Sequence, residues 1–406
     1  MIVTVSQGTV LDTATMEMVE NQTVVIESDR IVDVVDGRSL VEADVDIDAA
    51  GQFIMPGFVD GHFHHWIVTM DFARLAGMTA EERGIMSASL AEGTVRRGFT
   101  TIRDAGGDNR GLMRAIANGA CVGPRIVQAG RILSQTGGHG DFRTGDVPPA
   151  ECGCQMFHDH AGFVVDGVDA CRKAARQALR DGSQFIKIMT SGGVSSPSDP
   201  FDSIQFTADE IRAITVESDH RHTYTTSHAY TPPAIQLAIE NGVKCIEHGN
   251  GLDIATATRM VELGVTMVPT LIAYKALNEI GPKVGFPAAM LEKNNGVFEM
   301  GQRAIEVARN AGVELGFGTD LLGEAHHLQN HEFAIRANLE PAADVLRSMY
   351  QTNVKLCQMQ GEIGVIAPGA FADILVSRVN PLEDLAGLAE PHANLSSIIV
   401  QGEPLR

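Results

Sequence analysis

The sequence predicts an α/β fold, a (β/α)8 TIM barrel carrying a small β-sandwich formed by both termini. Three observations predict it. A length of 406 residues exceeds one ordinary core and suits a large barrel with a smaller companion. Both ends of the chain hold short β-type segments without helical periodicity. Between them a unit of buried strand, loop and helix recurs eight times. A hydrophobic content of 44% with 20% charged residues is that of a soluble globular protein and excludes a disordered or fibrous chain.

The sandwich is expected from residues 1–52 and 366–406. The first part contains Thr23-Val24-Val25-Ile26-Glu27 and Arg30-Ile31-Val32-Asp33-Val34-Val35, separated by a turn. The second contains Ala372-Asp373-Ile374-Leu375-Val376 and Ser397-Ile398-Ile399-Val400. The barrel is expected over 53–365, with strands beginning near Phe53, Phe99, Arg125, Gln184, Thr223, Val243, Val265 and Val313. Thr207, followed by Asp209 and Glu210, predicts a helix from Ala208 to Ser218. A second is expected from Pro232 to Asn241, ended by Gly242.

The formal net charge of −20 opposes binding to polyanions, so nucleic acid is not an expected partner. Met1-Ile2-Val3-Thr4-Val5 is not a basic start before an apolar core, and no apolar run approaches ~18 residues. Neither export nor membrane insertion is expected, and a cytoplasmic protein is. Cysteines at 121, 152, 154, 171, 245 and 357 are scattered and read as reduced thiols. Cys152-Gly153-Cys154 lacks a second pair at zinc spacing and reads as a loop with incidental thiols.

Every strand of a parallel barrel leaves at the same mouth. The residues at the strand ends are His62 and His64, Asp104, Gly130, Lys187, His228, His248, Thr270 and Asp320. His62 and His64 share one face of an extended strand, with Phe63 on the other. That spacing alone fits either a metal-binding pair or a capping and solvated pair. Four histidines, a lysine and an aspartate converging at one mouth are more than one metal would use, and two metals would use them all. Lys187 stands apart, because an ammonium with an unperturbed pKa near ~10.4 offers no lone pair, so its charge must first be removed.

His62-x-His64, Lys187, His228, His248 and Asp320 at these positions resemble the amidohydrolase superfamily. Arg103-Asp104-Ala105-Gly106-Gly107, Ser134-Gln135-Thr136-Gly137-Gly138-His139-Gly140, Ile186-Lys187-Ile188-Met189-Thr190-Ser191-Gly192-Gly193 and Gly318-Thr319-Asp320 resemble its imidazolonepropionase-like branch. Within that branch the likeness is to bacterial metal-dependent Xaa-Pro dipeptidases, and Pro368-Gly369-Ala370-Phe371-Ala372-Asp373-Ile374 extends it to the flanking sandwich. The resemblance implies two divalent metals, usually zinc. One would be held by His62, His64 and Asp320, the other by His228 and His248, with N6-carboxylated Lys187 as the bridge. Asp320 would shuttle a proton from the attacking water to the departing nitrogen. A homo-oligomer is implied as well.

By the same resemblance His139 would hydrogen bond at the polarised carbonyl, and Tyr230 would reach the substrate's α-carboxylate. Arg131 or Arg143 is a further candidate for that carboxylate. His65, His326, His327 and His331 read as neighbours rather than ligands, and His158 and His160 as loop residues. The expected substrate is a small peptide, an Xaa-Pro dipeptide first. Alternatives are release of Arg or Lys, release of Phe from N-acyl conjugates such as ochratoxin A, hydrolysis of a cyclic amide as in imidazolonepropionase, or a scaffold without catalysis.

Overall fold

The computed structural model describes residues 1–141, 162–196, 199–286 and 288–405. The terminal strands are β1 (Ile2–Asp12), β2 (Glu17–Glu27), β3 (Arg30–Asp36), β4 (Val45–Asp48) and β5 (Phe53–Pro56). From the other end of the chain they are joined by β15 (Ile374–Ser377), β16 (Leu395–Val400) and β17 (Glu403–Pro404). Their order is β17-β16-β15-β5-β1-β2-β3, with β4 also on β1. The first half of β1 pairs with β4 and the second half with β5. An irregularity at Gln7 and Gly8 lets the strand change partner, because Gln7 takes a φ of 58° and a Cβ on Gly8 would lie 2.6 Å from Ile54. Sheet curvature then encloses Val3, Val5, Ile26, Ile54, Ile374 and Ile399 as a separate core.

The barrel strands are β6 (Phe58–Phe63), β7 (Phe99–Asp104), β8 (Arg125–Gln128), β9 (Ile132–Ser134), β11 (Ile186–Met189), β12 (Thr225–Ala229), β13 (Cys245–His248) and β14 (Thr266–Val268). A short strand, β10 (Gly162–Val164), lies on β9. All pair in parallel. The third strand position comprises both β8 and β9, joined across Gly130 at a φ of 66°, a left-handed conformation suited to glycine.

The run from Phe53 to Phe63, read as one barrel strand, is two. Phe53–Pro56 pairs with β1 and β15 in the terminal sheet, and the barrel begins at Phe58. The change of sheet occurs at Gly57, whose N–H donates to Asp373 at 2.8 Å, while that of Phe58 donates to Gly98 at 2.9 Å. A Cβ at Gly57 would lie 1.9 Å from Thr100. The eighth strand is reduced to one bridge between Leu315 and Met267. The side-chain amide of Asn353 explains this, accepting from the Phe317 N–H and donating to the Phe317 and Val59 carbonyls. It occupies the seam that a longer ladder would fill.

The anticipated helices form as Ala208–His220 and Pro232–Glu240. The first has a reciprocal cap between Thr207 and Glu210, and the second starts on proline with Asn241 at its C-cap. Among the described residues no helix is long and apolar enough to cross a membrane.

Candidate active site

The strand ends meet in a cleft at the barrel mouth, whose lining includes His62, His64, His139, Lys187, His228, His248 and Asp320. His64 Nε2 lies 3.3 Å from His62 Nε2 and 3.1 Å from Asp320 Oδ1. His62 Nε2 lies 3.3 Å from the same oxygen. Ligand atoms of His62, His248 and Asp320 fall within 4.8 Å of one another, so the histidine of the second proposed set lies beside the first. His248 and Asp320 reach this point from left-handed backbone, at φ 72° and 52°, a strained conformation found where side chains must be aimed.

The other ring nitrogens have partners. His62 Nδ1 meets Glu247 at 2.7 Å, His228 Nε2 donates to the Gly192 carbonyl at 3.1 Å, and His248 Nδ1 lies 2.8 Å from the Thr270 hydroxyl. His64 Nδ1 is 3.5 Å from the Gly106 carbonyl. Such contacts fix the tautomer and leave the opposite nitrogen with a lone pair for a metal. Lys187 is buried between them, and among the described residues its amine has no hydrogen-bond or ion-pair partner. Burial depresses its pKa against the opposing pull of Glu247 and Asp320. An orphaned amine beside carboxylate and imidazole ligands fits the carbamate that a bridging lysine requires.

The electrostatics follow from burial and proximity. Burial lowers His228 and His248 well below the usual imidazole range, so both are neutral. Burial alone would raise the Asp320 carboxyl, but His62 and His64 outweigh it and hold Asp320 ionised. Burial and Lys187 lower the His62 pKa, and Asp320 and Glu247 raise it by more, leaving it above the ordinary imidazole value.

Glu247 was passed over as a site residue in the sequence, where it appears only as the neighbour of His248. It is fully buried and receives Arg103 Nη1 at 2.8 Å as well as His62. A carboxylate following Cys245 and Ile246 in a fully buried strand was the available signal. Ser196 and Asp199 were also missed. Both meet His139 Nδ1, at 3.0 and 3.3 Å, and the His139 ring stacks on His228 with centroids 4.1 Å apart.

Tyr230 is in the cleft, its ring stacked on His248 and its hydroxyl 3.0 Å from that of Tyr274. Arg131 is placed differently from expectation. It pairs with Asp181 at 2.6 Å and lies over the Phe163 ring, and it is not among the residues lining the cleft. Asp181, which caps the C-terminal end of the helix Val168–Arg180, holds the guanidinium away from the cleft lining. Arg143, His158, His160, Cys152 and Cys154 lie outside the described residues. His65 and His326 are buried beside Phe63 and bond to the Ser87 and Gly323 carbonyls, and burial lowers His65 to about 4. His327 and His331 are exposed. The cleft also has an apolar wall, to which Trp66, Phe72, Leu277, Phe286 and Leu321 contribute.

The amidohydrolase family matches residues 53–405 of the chain. Ochratoxinase from Aspergillus niger is 27% identical over 353 residues, which cover 84% of this chain and 73% of that protein. Among solved structures, a prolidase complexed with N-methylphosphonate-L-proline is 41% identical, with a TM-score of 0.95 and all of both chains covered. A Xaa-Pro dipeptidase with methionine bound in its active site is 26% identical, with a TM-score of 0.87 and the same full coverage. With these likenesses added to a histidine and aspartate cluster at the barrel mouth, the chain belongs to the amidohydrolase family and is a hydrolytic enzyme acting on amide bonds.

Proposed function

We propose that the protein cleaves the amide bond preceding a C-terminal amino acid that carries a free carboxylate, with Xaa-Pro dipeptides as its main substrates. The supporting observation is the 41% identity, over the whole chain, to the prolidase solved with a proline phosphonate. Among the described residues lining the cleft, Asp320 is the single carboxylate. A departing Arg or Lys would find no other counter-charge there, which disfavours that alternative. Release of Phe from N-acyl conjugates is the second reading, favoured by the breadth of the wall formed by Trp66, Phe72, Leu277 and Phe286.

His62, His64 and Asp320 would hold one divalent cation and His228 and His248 the other, with carboxylated Lys187 shared between them, and zinc is our assignment. When bound, such cations supply Lewis acidity that lowers the pKa of water and polarises the scissile carbonyl. Asp320, kept ionised by His62 and His64, accepts a proton at its carboxylate and returns it to the departing nitrogen. His139 Nε2 faces the carbonyl oxygen, and the Tyr230 hydroxyl faces the α-carboxylate. The apolar wall excludes water from the acyl side.

A library of Xaa-Pro, Xaa-Arg and N-acyl-Phe substrates tests the reading. The expected result is fastest turnover of the Xaa-Pro set, and faster turnover of either other set overturns the assignment. Tyr230→Phe is expected to lower kcat/KM for dipeptides by roughly tenfold, the loss of one hydrogen bond to a charged group.

A further inference from the structure

His139 owes its orientation to a loop from another part of the barrel. Its ring lies between the His228 imidazole and Gly193, where a Cβ would stand 2.3 Å from the ring. Asp199, buried behind it, stands 3.3 Å from His139 Nδ1, whose closer partner is the Ser196 hydroxyl at 3.0 Å, and it accepts the Gly193 N–H at 3.0 Å and Gln205 Nε2 at 3.3 Å. The oxygen of the same Gln205 amide accepts the His139 backbone N–H at 2.8 Å, so ring and backbone are held by neighbouring groups. Nε2 of His139 has no protein partner among the described residues.

The loop is anchored in turn by Lys293. Its ammonium donates to the carbonyls of Asp199 at 2.6 Å, Ser196 at 3.1 Å and Gly193 at 3.5 Å. Among the described residues no carboxylate stands within ion-pair distance of it. Three donors spent on the carbonyls of one loop fix its path, and they fix it around the two residues that touch His139 Nδ1. Lys293 ends the helix Ala288–Lys293, which follows Phe286 of the apolar wall.

We propose that Asp199, its loop fastened by Lys293, is the positioning residue for His139, setting the ring so that Nε2 rather than Nδ1 faces the reacting carbonyl. The inference rests on the placement of His139 at that carbonyl in the reading above. It adds two residues that act through His139 without touching substrate. Misplacing a catalytic side chain by an ångström costs up to about 100-fold in rate.

The test uses metal-loaded protein, with Ala-Pro and N-acetyl-Phe as probes. Asp199→Asn is expected to lower kcat by roughly 10- to 100-fold with KM nearly unchanged. Lys293→Met is expected to lower it by roughly 3- to 10-fold, with Lys293→Arg restoring most of the loss. The double variant of Asp199→Asn with His139→Asn should be no slower than His139→Asn alone, since coupled residues do not add. A further full loss on top of His139→Asn overturns the proposal. The His139 imidazole 15N signals, assigned by their disappearance in His139→Asn, should move in both Asp199→Asn and Lys293→Met. Unmoved signals overturn it whatever the kinetics. If His139→Asn leaves turnover intact, the carbonyl role of His139 is wrong, and the imidazole signals still decide the positioning. If Asp199→Asn fails to fold, the Lys293 pair of variants carries the test.

Discussion

Glu247, on the sixth barrel strand, receives Nδ1 of His62, on the first, at 2.7 Å, and its other oxygen receives Arg103 from the second. Thr226, on the fifth, donates its hydroxyl to that same oxygen, so four strands are tied by one buried carboxylate beneath the candidate metal site. The bond to Nδ1 leaves the His62 lone pair on Nε2, next to His64 and Asp320. Glu247→Gln is expected to weaken metal retention by roughly 10- to 100-fold. It also leaves the Arg103 guanidinium buried without its counter-charge, a loss of about 3–5 kcal/mol. Metal analysis after dialysis measures the first effect and denaturant unfolding the second. Full metal content in the variant would contradict the tautomer argument.

Lys187 is the only lysine lining the cleft among the described residues, and its amine is without a partner. Lys187→Ala is expected to bring metal content from about two equivalents to one or fewer and to abolish turnover. Added short carboxylic acids should restore part of both, because they replace the missing carboxylate. Absence of any rescue, with metal retained, would remove the carbamate from the site.

Gly193→Ala places a methyl group where the His139 ring already lies, 2.3 Å away. The ring must move against His228, on which it stacks, since the three atoms nearest the added methyl all belong to His139. Turnover is expected to fall by roughly 10- to 100-fold with metal content and melting temperature close to wild type. Wild-type turnover in this variant would show that His139 need not sit where the structure puts it.

Glu332 yields a pH dependence outside the active site. It is fully buried, one oxygen accepts the Ile272 N–H at 2.7 Å, and the other has no partner. Burial pushes its pKa up to about 8 despite Arg336 nearby. A folded-state pKa above the unfolded value of 4.5 means that the folded protein holds the proton more tightly. Its contribution to stability is complete below pH 4.5 and is lost as pH rises through 8. Glu332→Gln should flatten that part of the melting-temperature profile and exceed wild type above pH 8. Parallel profiles for the two proteins would contradict the shift.

Strand ends were the legible part of the site, because a parallel barrel sends every strand to the same mouth. His62, His64, Lys187, His228, His248 and Asp320 could be picked out one strand at a time, and the structure brings them together there. Partners that come from loops could not be read this way. Asp199 reaches His139 across 60 positions of sequence, through a loop path fixed by Lys293 carbonyl contacts that no local pattern encodes. Arg131 shows the opposite failure, since proximity in sequence to the site did not reveal that Asp181 would bind it first. In the fold, periodicity marked the eighth strand, but the amide of Asn353 that displaces most of its ladder comes from a helix beyond it. The boundary at Gly57 was hidden because the apolar run of Phe53–Pro56 continues beyond it into Phe58 and Val59, and only the partner strands distinguish the two segments.

That boundary bears on the order in which the protein is made. β5 lies between β1, synthesised at the start, and β15, synthesised near the end. Every candidate metal ligand, from His62 to Asp320, emerges from the ribosome before Ile374–Ser377. A nascent chain with all its ligands therefore still carries one unpaired edge on β5, directly joined through Gly57 to the strand that bears His62 and His64. Until the final strands arrive, that edge is open to pairing with another nascent chain.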